Sequence, residues 1–176
     1  MMAESSRLFF SIWPDKNTQE KAAVLAESFR RTYGGRAIHK ESLHITLAFL
    51  GETPNSQIPK LIELANQIIS PTFRLTLSKA GYFNKGIFWL GPAESPSELL
   101  TLVTNLRQLL ITFNIAFDKK EFVPHMTLLR NTVCGETPKK MIEPINFFVK
   151  SFVLATSIPN TKASRYKVIA EFPLKD

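Results

Sequence analysis

Residues 43–51 read LHITLAFLG and residues 124–130 read PHMTLLR, so His44 and His125, 81 positions apart, open the same His-x-Thr-Leu pattern. The chain has 3 histidines among 176 residues, with 14 Thr and 20 Leu. Chance placement of two such patterns is on the order of 10⁻⁴. In an extended chain residues two apart share a face, so His44 emerges with Thr46 and His125 with Thr127. Ile45, Leu47, Met126 and Leu128 then turn to the opposite side and anchor each strand in the core. The spacing, close to half the chain, predicts two similar halves related by a pseudo-twofold axis.

The flanking sequence supplies strands and helices in alternation. Residues 7–13 are rich in Phe and Ile and stop at Pro14, as a buried strand would. A helix follows, capped by Asp15 or Asn17, with Ala22, Ala23, Val24, Leu25 and Phe29 as its apolar side and Gly34-Gly35 as its end. Residues 42–50 form the next strand, and Ser56 offers a cap for a helix over residues 57–69. Residues 72–82 alternate as one amphipathic strand, turning through Asn84-Lys85-Gly86 into a short strand over 87–90. Ser95, Pro96 and Glu98 form a capping-box signature for a helix with the stripe Leu99, Leu102, Val103, Leu106, Leu109 and Leu110. Strands over 122–129, 147–156 and 166–172 follow, with a loop holding Cys134, Gly135 and Pro138. The order lacks the glycine-rich turns of a nucleotide-binding parallel sheet and points to an α+β fold with antiparallel sheets.

Composition narrows the class. The chain carries 22 Lys and Arg against 15 Asp and Glu, a formal charge of +7, and 44% of its residues are hydrophobic, 14 of them Phe. Such a chain can bury a sizeable core, which excludes intrinsic disorder, and its charge favours anionic partners. Its length suits one domain, taken here as residues 1–176. A lone cysteine cannot close an internal disulfide and fits a reducing compartment. The apolar run over residues 8–13 is far too short for a membrane span or a signal core, so a cytoplasmic protein with no membrane partner and no evident obligate protein partner is expected.

Two His/Thr pairs facing one groove suit in-line displacement at phosphorus, which needs a base beside the attacking oxygen and an acid beside the leaving oxygen. Imidazole serves both roles, since its ordinary pKa of about 6.5 lets one neutral and one protonated ring coexist. The Thr hydroxyls can hold the non-bridging oxygens, and Arg130 can meet the charge that develops there. A single strand histidine is ordinarily a structural residue; the duplication argues for chemistry. Metal binding is the rival, but there is no HExxH or Cys cluster, and Glu41 and Glu121 fit no ligand pattern. His39 falls on the other strand parity and reads as a surface or turn residue. Arg30-Arg31, Lys119-Lys120 and Lys139-Lys140 are candidates for an RNA backbone path, against the ordinary reading as solvated surface.

The stretches Arg7-Leu8-Phe9-Phe10, residues 43–51, residues 124–130 and Arg165-Tyr166 together resemble the 2H phosphoesterase family. The chain as a whole is similar to the bacterial RNA 2′,3′-cyclic phosphodiesterase branch, once called 2′-5′ RNA ligases. The resemblance implies a bilobal α+β fold, two antiparallel sheets around a central cleft with helices outside, and a metal-independent hydrolase with no cofactor. It also implies His125 as proton acceptor activating water and His44 as proton donor to the departing 3′ oxygen of an RNA cyclic phosphate. The motif symmetry alone leaves those two roles unassigned. Phe9 and Tyr166 are candidates for stacking a base, with core packing the alternative for Phe9. Ser11 and Trp13 depart from the small or aliphatic residues usual after the opening Phe pair. A non-catalytic nucleotide or RNA-binding module is the reading from another class, and the reverse joining reaction is open to the same residues.

Overall fold

A computed structural model describes residues 4–84, 86–133, 142–158 and 165–175. Among the described residues, strand β1 (Ser5–Ile12) leads through Asp15, whose carboxylate accepts from Thr18 N at 2.8 Å, into helix α1 (Lys16–Tyr33). The short β2 (Arg36–Ala37) and a 3-10 turn, Lys40–Ser42, precede β3 (Ile45–Pro54). Helix α2 (Ile58–Ala65), β4 (Phe73–Leu77), β5 (Lys79–Phe83), β6 (Ile87–Gly91) and α3 (Ser97–Thr112) follow. The chain continues with β7 (Met126–Arg130), β8 (Ile145–Val149), β9 (Ser151–Ile158) and β10 (Arg165–Pro173). The expected α+β architecture with antiparallel sheets is what forms.

The large sheet runs β10-β9-β1-β3-β7-β6-β5, with β2 on β7, and β4 pairs β8 in a small second sheet. The two halves of the large sheet meet at a single pair, Ile45 with Met126. Each of those residues directly follows a motif histidine, so the seam between the halves brings the two motifs together. One face carries the main core, including Leu8, Phe10, Ile12, Ile45, Leu47, Met126 and Leu128. The opposite face carries a smaller aromatic cluster of Phe9, Val153 and Ala155 packed with Trp13, Phe49 and Tyr166.

The pairing contains two irregularities with the same position in their motifs. Ser11 pairs Thr46 and Phe10 pairs Ala48, so Leu47 is skipped. Trp89 pairs Thr127 and Phe88 pairs Leu129, so Leu128 is skipped. Each is a β-bulge at the Leu of His-x-Thr-Leu, and each reverses the facing of the residues beyond it. Strict alternation would send Phe49 and Arg130 to the face opposite Thr46 and Thr127; the bulges bring them back to it.

Several expected boundaries move. Residues 72–82 are two strands, β4 and β5, that part at Ser78 to join different sheets, and residues 147–156 likewise part at Lys150. At each point two polar residues stand side by side, Ser78-Lys79 and Lys150-Ser151, so the alternation breaks where the chain changes partner. Ser56 lies inside a 3-10 turn, Asn55–Gln57, and α2 starts without a side-chain cap. Ser95 does not cap α3 either: Pro96 takes the cap position, and Ser97 Oγ donates to Glu98 Oε2 at 3.1 Å. Val24 is 73% exposed, and Thr18, Gln19, Ala22, Ala26 and Phe29 form the buried side of α1 instead. Cys134 and the Lys139-Lys140 pair lie outside the described residues.

Candidate active site

Both motif histidines sit one residue before a strand, where the chain leaves a loop and enters the sheet. His44 Nδ1 lies 2.7 Å from Ser42 O, and His125 Nδ1 lies 2.6 Å from Val123 O. A carbonyl only accepts, so in each ring Nδ1 carries the hydrogen and the neutral Nε2 keeps a lone pair. The same bond to the carbonyl two residues back fixes the same tautomer twice. Ile45, Leu47, Met126 and Leu128 are fully buried, whereas the two His/Thr pairs are half-buried. That is the alternation the motif predicts.

Aromatic rings back both imidazoles. His44 is enclosed by Trp13, stacked at 5.1 Å and 15°, by Phe9 at 5.0 Å, and by Tyr166 edge-on at 4.9 Å. Trp13 Nε1–H donates to Glu41 O at 3.2 Å, in the same turn that ends at Ser42. His125 meets Phe83 edge-on at 4.9 Å and Trp89 at 6.3 Å. Trp89 lies over Gly81, where an added Cβ would collide with its ring, and a Cβ on Gly91 would fall 2.6 Å from Pro124 O. Two glycines thus let the indole lie flat beside His125.

A cavity of about 810 Å³ opens on this face, and His44, Thr46, His125, Thr127, Arg130, Phe9 and Tyr166 all line it. Every site residue expected from the sequence is therefore brought to one concave surface. Arg130 faces it because of the bulge at Leu128. Arg30, Arg31, Lys119 and Lys120 are absent from the lining. Arg30 instead pairs with Glu27 at 2.7 Å and Lys120 with Asp118 at 3.1 Å, so these basic pairs belong to the outer surface. His39 is half exposed beside Glu41 at 3.8 Å, as a turn residue.

Sequence reasoning passed over Phe49, Arg36 and Glu52, which also line the cavity. Arg36 pairs Arg130 across β2 and β7, and Phe49 and Glu52 reach the cavity through the bulged register of β3. Gly51, at φ +72°, is the one sequence signal that the strand is irregular there.

Burial pushes the His44 imidazole down to about 4, opposed by the Ser42 carbonyl and reinforced by His125 and Arg130. His125 is lowered as well, by burial first and by Arg130, again against its carbonyl partner. At pH 7 both rings are neutral with Nε2 ready to accept, and the guanidinium of Arg130 acts on both. The arrangement can take a proton from one oxygen and deliver one to another across a bound anion. Among the described residues no group of three or more His, Cys, Asp or Glu is placed to hold a metal ion, and no helix is long and apolar enough to cross a membrane.

Residues 12–89 match the model of the family described as LigT like Phosphoesterase. An RNA 2′,3′-cyclic phosphodiesterase of Thermotoga maritima is 30% identical over 177 residues, covering 94% of this chain and 94% of its own length. An RNA 2′,3′-cyclic phosphodiesterase of Escherichia coli is 34% identical over 131 residues, 74% of each chain. A crystal structure of Escherichia coli LigT complexed with 3′-AMP superposes with a TM-score of 0.83 at 30% identity, covering 98% of this chain and 100% of that one.

Proposed function

The chain belongs to the LigT-like phosphoesterase family, and from that premise we propose that it hydrolyses RNA 2′,3′-cyclic phosphate ends to 2′-phosphomonoesters with His44 and His125 as its acid and base. The single observation that carries this reading is the pair of matched imidazoles, each with Nδ1 tied to the carbonyl two residues back, lining one cavity with Arg130.

His125 Nε2 accepts a proton from water as the water oxygen bonds to phosphorus. The P–O3′ bond breaks, and His44 Nε2 gives its proton to the departing 3′ oxygen. The product is a 2′-phosphomonoester with a free 3′ hydroxyl, and the two rings return to their starting states by exchange with solvent. Thr46 and Thr127 hold the non-bridging oxygens, and Arg130 meets the charge that builds on them. Burial and Arg130 hold His44 low, so the acid role depends on the substrate. A phosphodiester anion beside Nε2 opposes both effects and favours the protonated ring. Phe9 and Tyr166, already in contact with each other at 5.2 Å, form the wall against which the terminal base stacks.

His44→Ala and His125→Ala are each expected to lower turnover of a cyclic-phosphate dinucleotide by roughly 10²- to 10⁴-fold. Activity of the wild type should persist in excess chelator. Wild-type rates in both single variants would overturn the assignment; nucleotide binding without turnover at any pH would favour the non-catalytic module.

A further inference from the structure

The cavity extends well past the two motifs. Much of its lining lies along β1, β3, β9 and β10 on the side away from the seam, including Ser6, Arg7, Glu52, Ser157 and Arg165. Across these strands Phe9 pairs Phe49, Arg7 pairs Glu52 and Tyr166 pairs Ser157. Arg7 shares the face of Phe9 and stands one strand repeat beyond it, about 7 Å along β1. Arg7 thus lies on the wall of the same cavity, past the base-stacking pair and on the side away from the two histidines.

Arg7 and Glu52 are direct cross-strand partners, yet among the described residues no salt bridge joins them. The Arg7 guanidinium stands over the Phe49 ring instead, 5.0 Å from its centroid, and the Glu52 carboxylate accepts from Ser5 Oγ at 3.2 Å. Stacking on an aromatic face fixes the plane of a guanidinium while leaving its N–H fork open to an oxyanion. With Arg165 on the same stretch of wall, this arm of the cavity carries two guanidiniums against one carboxylate.

We propose that Arg7, held on Phe49, forms a second phosphate subsite that takes the phosphodiester immediately upstream of the terminal nucleotide. The subsite rests on the reading of the first site as a cyclic-phosphate site. It makes a chain of two or more ribonucleotides, rather than a single nucleotide, the preferred substrate class.

Affinity tests this without turnover. The probes are a dinucleotide ending in a 2′-phosphate and the corresponding mononucleotide 2′-phosphate, with Arg7→Met, which keeps the stem packed on Phe49, and Arg7→Lys beside the wild type. The wild type should bind the dinucleotide about tenfold or more tightly than the mononucleotide. Arg7→Met should collapse that ratio towards one and reduce the salt slope of dinucleotide binding by about one; Arg7→Lys should keep part of both. An unchanged ratio in Arg7→Met, or equal loss for both probes, overturns the proposal. A wild type that shows the ratio but hydrolyses neither cyclic substrate supports the subsite and removes the catalytic reading alone.

Discussion

The stacking of Trp13 on His44 shows how single side chains set the chemistry here. The indole covers one face of the imidazole and, through Nε1–H to Glu41 O, also steadies the turn whose Ser42 carbonyl orients Nδ1. Trp13→Ala should let water reach the ring and relieve part of its burial, so the His44 pKa rises from about 4. The ring titration followed by NMR should move up in Trp13→Ala and stay near the wild-type value in Trp13→Phe. The same burial makes folding pH-dependent. The unfolded chain takes up the proton near its ordinary value while the folded ring refuses it until about pH 4. Stability therefore falls as pH drops from about 6.5 towards 4, by up to about 3 kcal/mol from His44, with His125 adding in the same direction. Denaturant midpoints across that window should show a flatter slope in His44→Gln than in the wild type. The pairing of His with Thr could be read from the sequence because an imidazole and a hydroxyl two residues apart announce their shared face. The lowered pKa values could not, since they arise from rings contributed by distant segments.

Between residue and fold, the bulge at each motif leucine is the element that builds the site. It frees the leucine carbonyl from the regular ladder, and each is bonded from elsewhere: Leu128 O accepts from Ile38 N at 2.9 Å. Leu47 O is approached by Arg107 Nε and Nη2 of α3, both at 3.4 Å, while Nη1 donates to Lys120 O at 2.9 Å. Arg107→Met keeps most of the stem beside Phe117 and Phe122 but removes these donors. It should cost about 1–2 kcal/mol by chemical denaturation and lower kcat through Thr46 and Phe49, while leaving the His125 resonances in place. Gly81→Ala tests the other half. The added methyl collides with the Trp89 ring, so it should displace the indole from His125 and slow turnover with no change at His44. Neither bulge follows from the His-x-Thr pattern, but the alternation does break at both: Leu47 is followed by the apolar Ala48 and Phe49, and Leu128 by Leu129 and then the charged Arg130. A single strand read across Ser78-Lys79 or Lys150-Ser151 likewise joins β4 to β5 and β8 to β9, although two adjacent polar residues mark each passage from one sheet into the other. Arg130 was picked out by its place after the motif, but its facing depends on the bulge.

At the scale of the molecule, the two halves of the large sheet are joined among the described residues by one ladder pair, Ile45 with Met126, and the cavity lies at that seam. The halves agree locally in the tautomer-fixing carbonyl, the backing aromatics, the bulge and the cavity-facing residue three places after each Thr. Of this agreement the repeated tetrapeptide foretold the shared face of each His and Thr; the carbonyl bonds, the backing aromatics and the bulges come from the fold. The pairing order of the strands was beyond it, since β1 and β9 are joined by contacts between opposite ends of the chain. In the proposed chemistry both imidazoles serve a single phosphate, and NMR titration of the two histidine rings with a nucleoside 2′-phosphate reads this out. His44 and His125 should respond along one binding curve, and the His44 pKa should rise on saturation. A response at only one ring, or two curves with different affinities, would contradict that chemistry.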